Sequence, residues 1–166
     1  MNDFLHHFEE CIDKTFAVTG EASKRLIAEQ ETISIQIKSQ GKYLLYEFDK
    51  PNKDIYPFFN PVPTLKIKAD YLILKQHKDK IYALVVELKQ KNGNPLPQIQ
   101  ATKHFVEYII KCVSRVKKAD YSDNLELRGI KYSKLRKSST APLVEYDKFN
   151  NTSLTGNTLN VELYLK

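Results

Sequence analysis

Asp70 and the tripeptide Glu87-Leu88-Lys89, with sixteen residues between them, have the types and spacing to do phosphate chemistry. Glu87 and Lys89 follow an apolar run, Ile81-Tyr82-Ala83-Leu84-Val85-Val86. Such a run reads as a strand buried on both faces. A carboxylate and an ammonium at the end of a buried strand are costly unless they are paired or given a task. Strand side chains alternate, so Glu87 and Lys89 point to one face and Leu88 to the other. If Asp70 stands at the end of the neighbouring strand, two carboxylates and a lysine converge. At about 4 Å the two carboxylates repel by roughly 1 kcal/mol in water, and by about 4 kcal/mol at an effective dielectric near 20. A cation between them reverses the sign. Hard oxygen ligands with room for water suit Mg²⁺ or Mn²⁺ rather than Zn²⁺. The backbone carbonyl of Leu88 is a candidate third ligand. Lys89 could orient or help deprotonate an attacking water and stabilise charge on a phosphate.

Several elements must position these groups. Residues 2–16 read as an amphipathic helix, with Phe4, Leu5, Phe8, Cys11, Ile12 and Phe16 on one stripe. Residues 21–31 read as a second short helix with Leu26 and Ile27 facing inward. Ile33, Ile35 and Ile37 alternate with polar residues, as in a half-exposed strand. Gln40-Gly41 signals a turn, and residues 42–48 read as a strand. Residues 49–64 carry Pro51, Pro57, Pro61 and Pro63 and read as a loop, because proline cannot join a central ladder. Residues 65–74 read as the next strand. The short polar stretch 76–80 makes it an antiparallel hairpin with the strand of Glu87. After a loop over 91–97, a helix over 98–117 presents Ile99, Thr102, Phe105, Val106, Ile109, Ile110, Val113 and Val116 as its buried stripe. Strands are expected over 125–132 and 159–165, with a basic loop over 133–140. The fold class is α/β, a mixed central β-sheet flanked by helices. With 166 residues, a single domain over 1–166 is expected.

Composition narrows the functional classes. Apolar residues at 42% and charged residues at 28% are those of an ordinary soluble globule. No apolar run approaches the roughly 20 residues that cross a bilayer, so no membrane association is expected. The first residues lack a basic segment followed by an apolar one, and a cytoplasmic location is expected. Cys11 and Cys112 read as small buried hydrophobes, and neither has zinc-ligand spacing. Adjacent helical residues diverge by about 100°, so His6 and His7 cannot easily share an ion. No glycine-rich phosphate loop is present and nothing supports acyl transfer. The net charge of +6 favours a polyanionic partner.

The Asp70 and Glu87-Leu88-Lys89 pattern resembles the PD-(D/E)xK nuclease superfamily. So does the element order over 2–132: a helix, three strands with acidic residues on the second and third, a helix and another strand. Ala69 stands where the name-giving pattern has proline. The resemblance implies a restriction-endonuclease-like fold and Mg²⁺-dependent hydrolysis of phosphodiesters, usually in DNA. It makes Asp70 and Glu87 metal ligands and Lys89 the catalytic lysine. Family members often add a glutamate from the first helix, for which Glu9 is the candidate. They also often use a polar residue from the helix after the lysine strand, for which Gln98, Gln100 and Lys103 are candidates. Two basic groups could grip flanking phosphates: Lys131, Lys134, Arg136 and Lys137 around Tyr132, and Lys66, Lys68 and Lys89 beside Asp70. Nucleic acid, DNA first, is the expected partner. A single site cuts one strand at a time, so double-strand cleavage would call for a homodimer. The alternative is a catalytically inactive, nuclease-like module that binds nucleic acid or a protein partner.

Overall fold

The computed structural model describes residues 3–28, 32–88, 94–133 and 144–166. Among them, six strands form one mixed sheet: β1 (Ala17–Val18), β4 (Leu44–Tyr46), β5 (Tyr71–His77), β6 (Lys80–Glu87), β7 (Leu125–Ser133) and β8 (Asn151–Thr155), in that spatial order. The pairs from β1 to β6 are antiparallel, whereas β6, β7 and β8 run parallel. A second sheet joins β2 (Arg25–Ala28), β3 (Ile33–Lys38) and β9 (Thr158–Asn160). Both α-helices, α1 (Phe4–Cys11) and α2 (Leu96–Lys117), pack on one face of the main sheet. The small sheet covers the other face through Leu26, Ile33, Ile35 and Ile37. The expected mixed α/β sheet is present, with helices on one side and strands on the other rather than helices on both.

The hairpin carries the arrangement. Its register runs from Tyr71 opposite Val86 to His77 opposite Lys80, and Lys78 closes the turn at φ +53°. Every residue from Ile81 to Glu87 is buried, because layers cover both faces. Full burial of side chains such as Leu84 and Val85 stabilises by about 1.5–3 kcal/mol each. The energy that fixes β5 and β6 therefore comes from the same apolar run that ends at Glu87.

Several elements differ from the sequence reading for identifiable reasons. The first helix stops at Cys11: Ile12 turns extended, and Asp13 accepts from the Thr15 amide at 2.8 Å to start a 3₁₀ turn, Lys14–Phe16. Phe4 and Phe8 hold the short helix in the core, whereas Cys11 is exposed rather than buried. The second expected helix is a 3₁₀ turn, Gly20–Lys24, followed by β2. There Leu26 is buried and Ile27 is exposed, the alternation of a strand paired with β3. The rest of that expected helix, residues 29–31, lies outside the described residues. The strand expected over 42–48 is confined to β4. β5 begins at Tyr71, not at Leu65. Lys66 and Lys68 are paired with Asp54 (2.6 Å) and Asp49 (3.4 Å) of the preceding loop. The Ala69 amide donates to Thr102 Oγ1 of α2 at 2.7 Å, so this stretch makes its bonds outside the ladder. α2 buries the expected stripe, except that Phe105 is half-buried and Val116 is exposed, and Lys103 is buried in addition.

At the C-terminus, the expected strand is β9 followed by a 3₁₀ turn, Val161–Tyr164. Glu162 accepts from the Gln40 amide at 2.7 Å and Ser39 Oγ at 3.0 Å, which folds the chain back onto the second layer. β8 has no counterpart in the sequence reading. Its composition, Asn-Thr-Ser-Leu-Thr, is polar, and Leu154 is its one large apolar residue.

Gly129 of β7 sits where α2 and β8 close on the sheet. A Cβ there would stand 2.6 Å from Ile99 Cγ2 and inside van der Waals contact of Asn151 Oδ1. Gly129→Ala should therefore destabilise the protein by about 2 kcal/mol or more. Urea denaturation checks this, and an unchanged midpoint would mean that α2 and β8 yield without cost.

Candidate active site

Asp70 and Glu87 meet at one end of the hairpin. Tyr71 pairs with Val86, so the two acids are the next residues outward on β5's approach and at the end of β6. Asp70 is 7% exposed and Glu87 3%. The Leu88 amide donates to Asp70 Oδ2 at 2.8 Å. That bond pulls the Asp70 carboxylate onto the β6 backbone, one residue from Glu87. Leu88 itself is fully buried in the layer facing the small sheet, so alternation turns Glu87 toward α2. Asp70 and Glu87 thus stand side by side across the end of the hairpin, and the Leu88 atom that contacts Asp70 is its amide rather than the carbonyl named as a ligand from the sequence. Lys89 lies outside the described residues.

β7 adds a cation. Lys131 is the register partner of Glu87 across the parallel pair, and Ser153 of β8 is the partner of Lys131. Register partners share a face and neighbouring strands lie about 4.8 Å apart, so Glu87 and Lys131 project side by side toward the α2 layer. Lys131 is half-buried. Its companions in the expected basic patch, Lys134, Arg136 and Lys137, lie outside the described residues.

The first two turns of α2 tie the surrounding backbone together. Thr102 holds Ala69, the residue before Asp70. Lys103, 6% exposed, donates to Phe149 O at 2.9 Å, Asn150 O at 3.2 Å and Asn151 Oδ1 at 2.7 Å. With its three protons committed, Lys103 pins the entry of β8 and does not serve as the phosphate contact expected of it. Burial pushes its ammonium down to about 8 from an ordinary 10.5, against the opposing pull of nearby Asp147. Asp147 accepts from the amides of Asn151 (2.9 Å) and Phe149 (2.8 Å). Those bonds, led by Asn151, lower its carboxyl pKa, with Lys103 and Lys131 adding to the effect. Gln98 is half-buried in the first turn of α2, one turn before Thr102. Gln100 is exposed and bonded to His104 at 3.1 Å.

Glu9 is not brought to this pair. Its carboxylate is 2.6 Å from Lys42, just before β4, and β4's register sets Leu44 opposite Leu74 in the half of β5 away from Asp70. His6 is 3.4 Å from Glu10, and His7 contacts the Tyr121 hydroxyl. Among the described residues, no three His, Cys, Asp or Glu side chains converge as a metal cluster. Asn151 and Asp147, which organise the site's surroundings, are not singled out by the sequence, and Thr102 is read from it only as part of a buried helical stripe. The Thr inside an apolar helical stripe was the one signal that pointed to any of them.

Among the described residues, no helix is long and apolar enough to cross a membrane. Compared with known proteins, the chain matches no family model, no curated protein and no solved structure.

The Lys103 geometry gives a pH dependence with a definite sign. Its folded pKa lies below the unfolded one, so the unfolded chain holds more protons between about pH 8 and 10.5. The contribution of Lys103 to stability therefore rises as pH rises through that window. The unfolding free energy of wild type relative to Lys103→Met should be larger at pH 9.5 than at pH 7.5. Equal differences in urea titrations would mean that the folded state does not disfavour the ammonium.

Proposed function

We propose that this chain is a Mg²⁺- or Mn²⁺-dependent nuclease of restriction-endonuclease-like fold that hydrolyses phosphodiester bonds in DNA. The observation that carries this reading is the Leu88 amide bonded to Asp70 Oδ2 beside Glu87, which sets two buried carboxylates together at a strand end. Such burial is costly for a purely structural pair, whereas a cation site uses it. The donors proposed for it, two carboxylates and a backbone oxygen, are of the kind a hard divalent ion takes. Few protein ligands are no obstacle for Mg²⁺, which keeps several waters.

Asp70 and Glu87 would hold the ion, with the Leu88 carbonyl as a further oxygen. When bound, the ion supplies charge neutralisation at the phosphate and a water acidified toward neutral pH. Lys89, two residues past Glu87, would donate to the oxygen of the attacking water and stabilise charge on the phosphate, as the catalytic lysine that the resemblance makes it. Lys131, beside Glu87, would grip a phosphate oxygen of the bound strand. Gln98, at the start of α2, would reach a neighbouring phosphate. The buried floor of Val85, Val86 and Leu88 keeps water from behind the site and strengthens each of these electrostatic contacts. Glu9, paired with Lys42, has no part in this scheme.

Plasmid and labelled single-stranded DNA and RNA, incubated with Mg²⁺, Mn²⁺ or EDTA, test the reading. Cutting should require the metal, favour DNA, and fall at least a hundredfold in Asp70→Asn, Glu87→Gln and Lys89→Ala. Lys131→Ala should weaken substrate binding with a smaller effect on the cleavage step. Folded wild type that cuts nothing under any of these conditions would favour a nuclease-like binding module instead.

A further inference from the structure

The segment leading into Asp70 displays aromatic rings to solvent. Phe58 is 75% exposed and Phe59 37%, and Val62 and Leu65 are exposed beside them in sequence. Scattered exposed apolar residues need no explanation, but a cluster on one short loop marks an interaction site. This loop is also held in shape. Pro57, Pro61 and Pro63 restrict its backbone. Turn bonds join Phe59 N to Tyr56 O (3.1 Å), Val62 N to Asn60 O (2.8 Å) and Leu65 N to Val62 O (3.2 Å). Tyr56 is buried and serves as the root: its ring lies 5.3 Å from Phe105 of α2, edge-on, and 5.7 Å from Phe59. Phe105 lies one turn beyond Thr102, which holds the residue before Asp70. A chain of contacts through Tyr56, Phe105 and Thr102 thus ties the loop to the residue before Asp70.

The same loop makes a cationic recess. An open hollow of about 440 Å³ is lined by Asn52, Lys53, Asp54, Lys66 and Lys68. Asp54 and Asp49 partly neutralise Lys66 and Lys68, and among the described residues Lys53 has no carboxylate within ion-pair distance. A polyanion with flat apolar groups matches this surface. Its backbone would follow the lysines and its bases would lie against the phenyl rings.

We infer that this loop is a stacking platform for an unpaired nucleic-acid strand, with bases on Phe58 and Phe59 and phosphates along Lys53, Lys66 and Lys68. A duplex cannot use it, because its bases already stack on one another and present only their edges. Single strands expose the ring faces that phenyl groups bind, and every base has one. The inference rests on the nuclease reading for its consequence: the site would receive its substrate as single strand, or as a frayed or looped end. The stacking itself needs neither metal nor catalysis.

Fluorescence anisotropy in EDTA separates the two claims. The probes are a labelled 12-nucleotide DNA, its RNA equivalent and a blunt duplex of the same sequence. Wild type should bind the single strands more tightly than the duplex. Phe58→Ala/Phe59→Ala should lose about tenfold or more in single-strand affinity, with an unchanged melting temperature. Phe58→Tyr/Phe59→Tyr should restore it, because a phenol still stacks. Whether DNA or RNA is held more tightly identifies the strand. Equal affinity of wild type and the alanine variant, or duplex binding as tight as single-strand binding, would overturn the platform. If wild type still cuts with metal in that case, the nuclease reading survives alone. Aromatic-dependent binding without metal-dependent cutting would support the platform and count against the nuclease.

Discussion

The hydrogen bond from the Leu88 amide to Asp70 Oδ2 joins the end of β6 to the chain entering β5 and closes the candidate site. Its position follows from the hairpin register, Tyr71 opposite Val86. A slip of one residue would turn Glu87 toward the small sheet and carry Leu88 into the α2 layer. The apolar run 81–86 opposes such a slip, since each side chain is buried against a different layer. A bond to a charged acceptor contributes about 1.5–3 kcal/mol. That is far less than the burial of β5 and β6 together, so packing of the strands sets the carboxylates in place and the bond fixes their final approach.

Helix α2 extends this control to the neighbouring strands. Within its first two turns, Ile99 closes on Gly129, Thr102 holds Ala69, and Lys103 pins Phe149, Asn150 and Asn151. Three parts of the chain that are far apart in sequence are thus referenced to one rigid element. One further turn along, Phe105 receives Tyr56 and so roots the aromatic loop on the same helix. The carboxylate pair, Lys131 and the loop are held in a fixed relation by the helix that crosses between β6 and β7. A buried lysine is an expensive tether, and its use here points to the need for a firm β8 entry next to Lys131.

The sequence disclosed the hairpin, which sets Asp70 beside Glu87, and α2, because each rests on strong local signals: a continuous apolar run, a short polar stretch before it and a long 3.6-residue period. It disclosed less where long-range partners decide. Leu26-Ile27 fits a helix or a strand equally well in isolation, and pairing with β3 chooses the strand. β8 lacks apolar alternation and exists because β7 offers it a parallel ladder. Glu9 lies on the margin of a helical stripe, as a site residue could, yet Lys42 from a distant turn holds it. Lys103 reads as a surface lysine, and only the fold supplies the three oxygens that bury it. In each case the missing information was the identity of a partner remote in sequence.

The central claim is that Asp70 and Glu87 form a divalent-cation site, and Mn²⁺ titration by calorimetry tests it without requiring a substrate. The account predicts binding centred on this pair in wild type and its loss in both Asp70→Asn and Glu87→Gln, with each variant still folded. Asn keeps an oxygen for the Leu88 amide, so the Asp70 variant removes the charge and little else. Folded wild type that takes up no Mn²⁺, or binding that persists unchanged in both variants, would contradict the account.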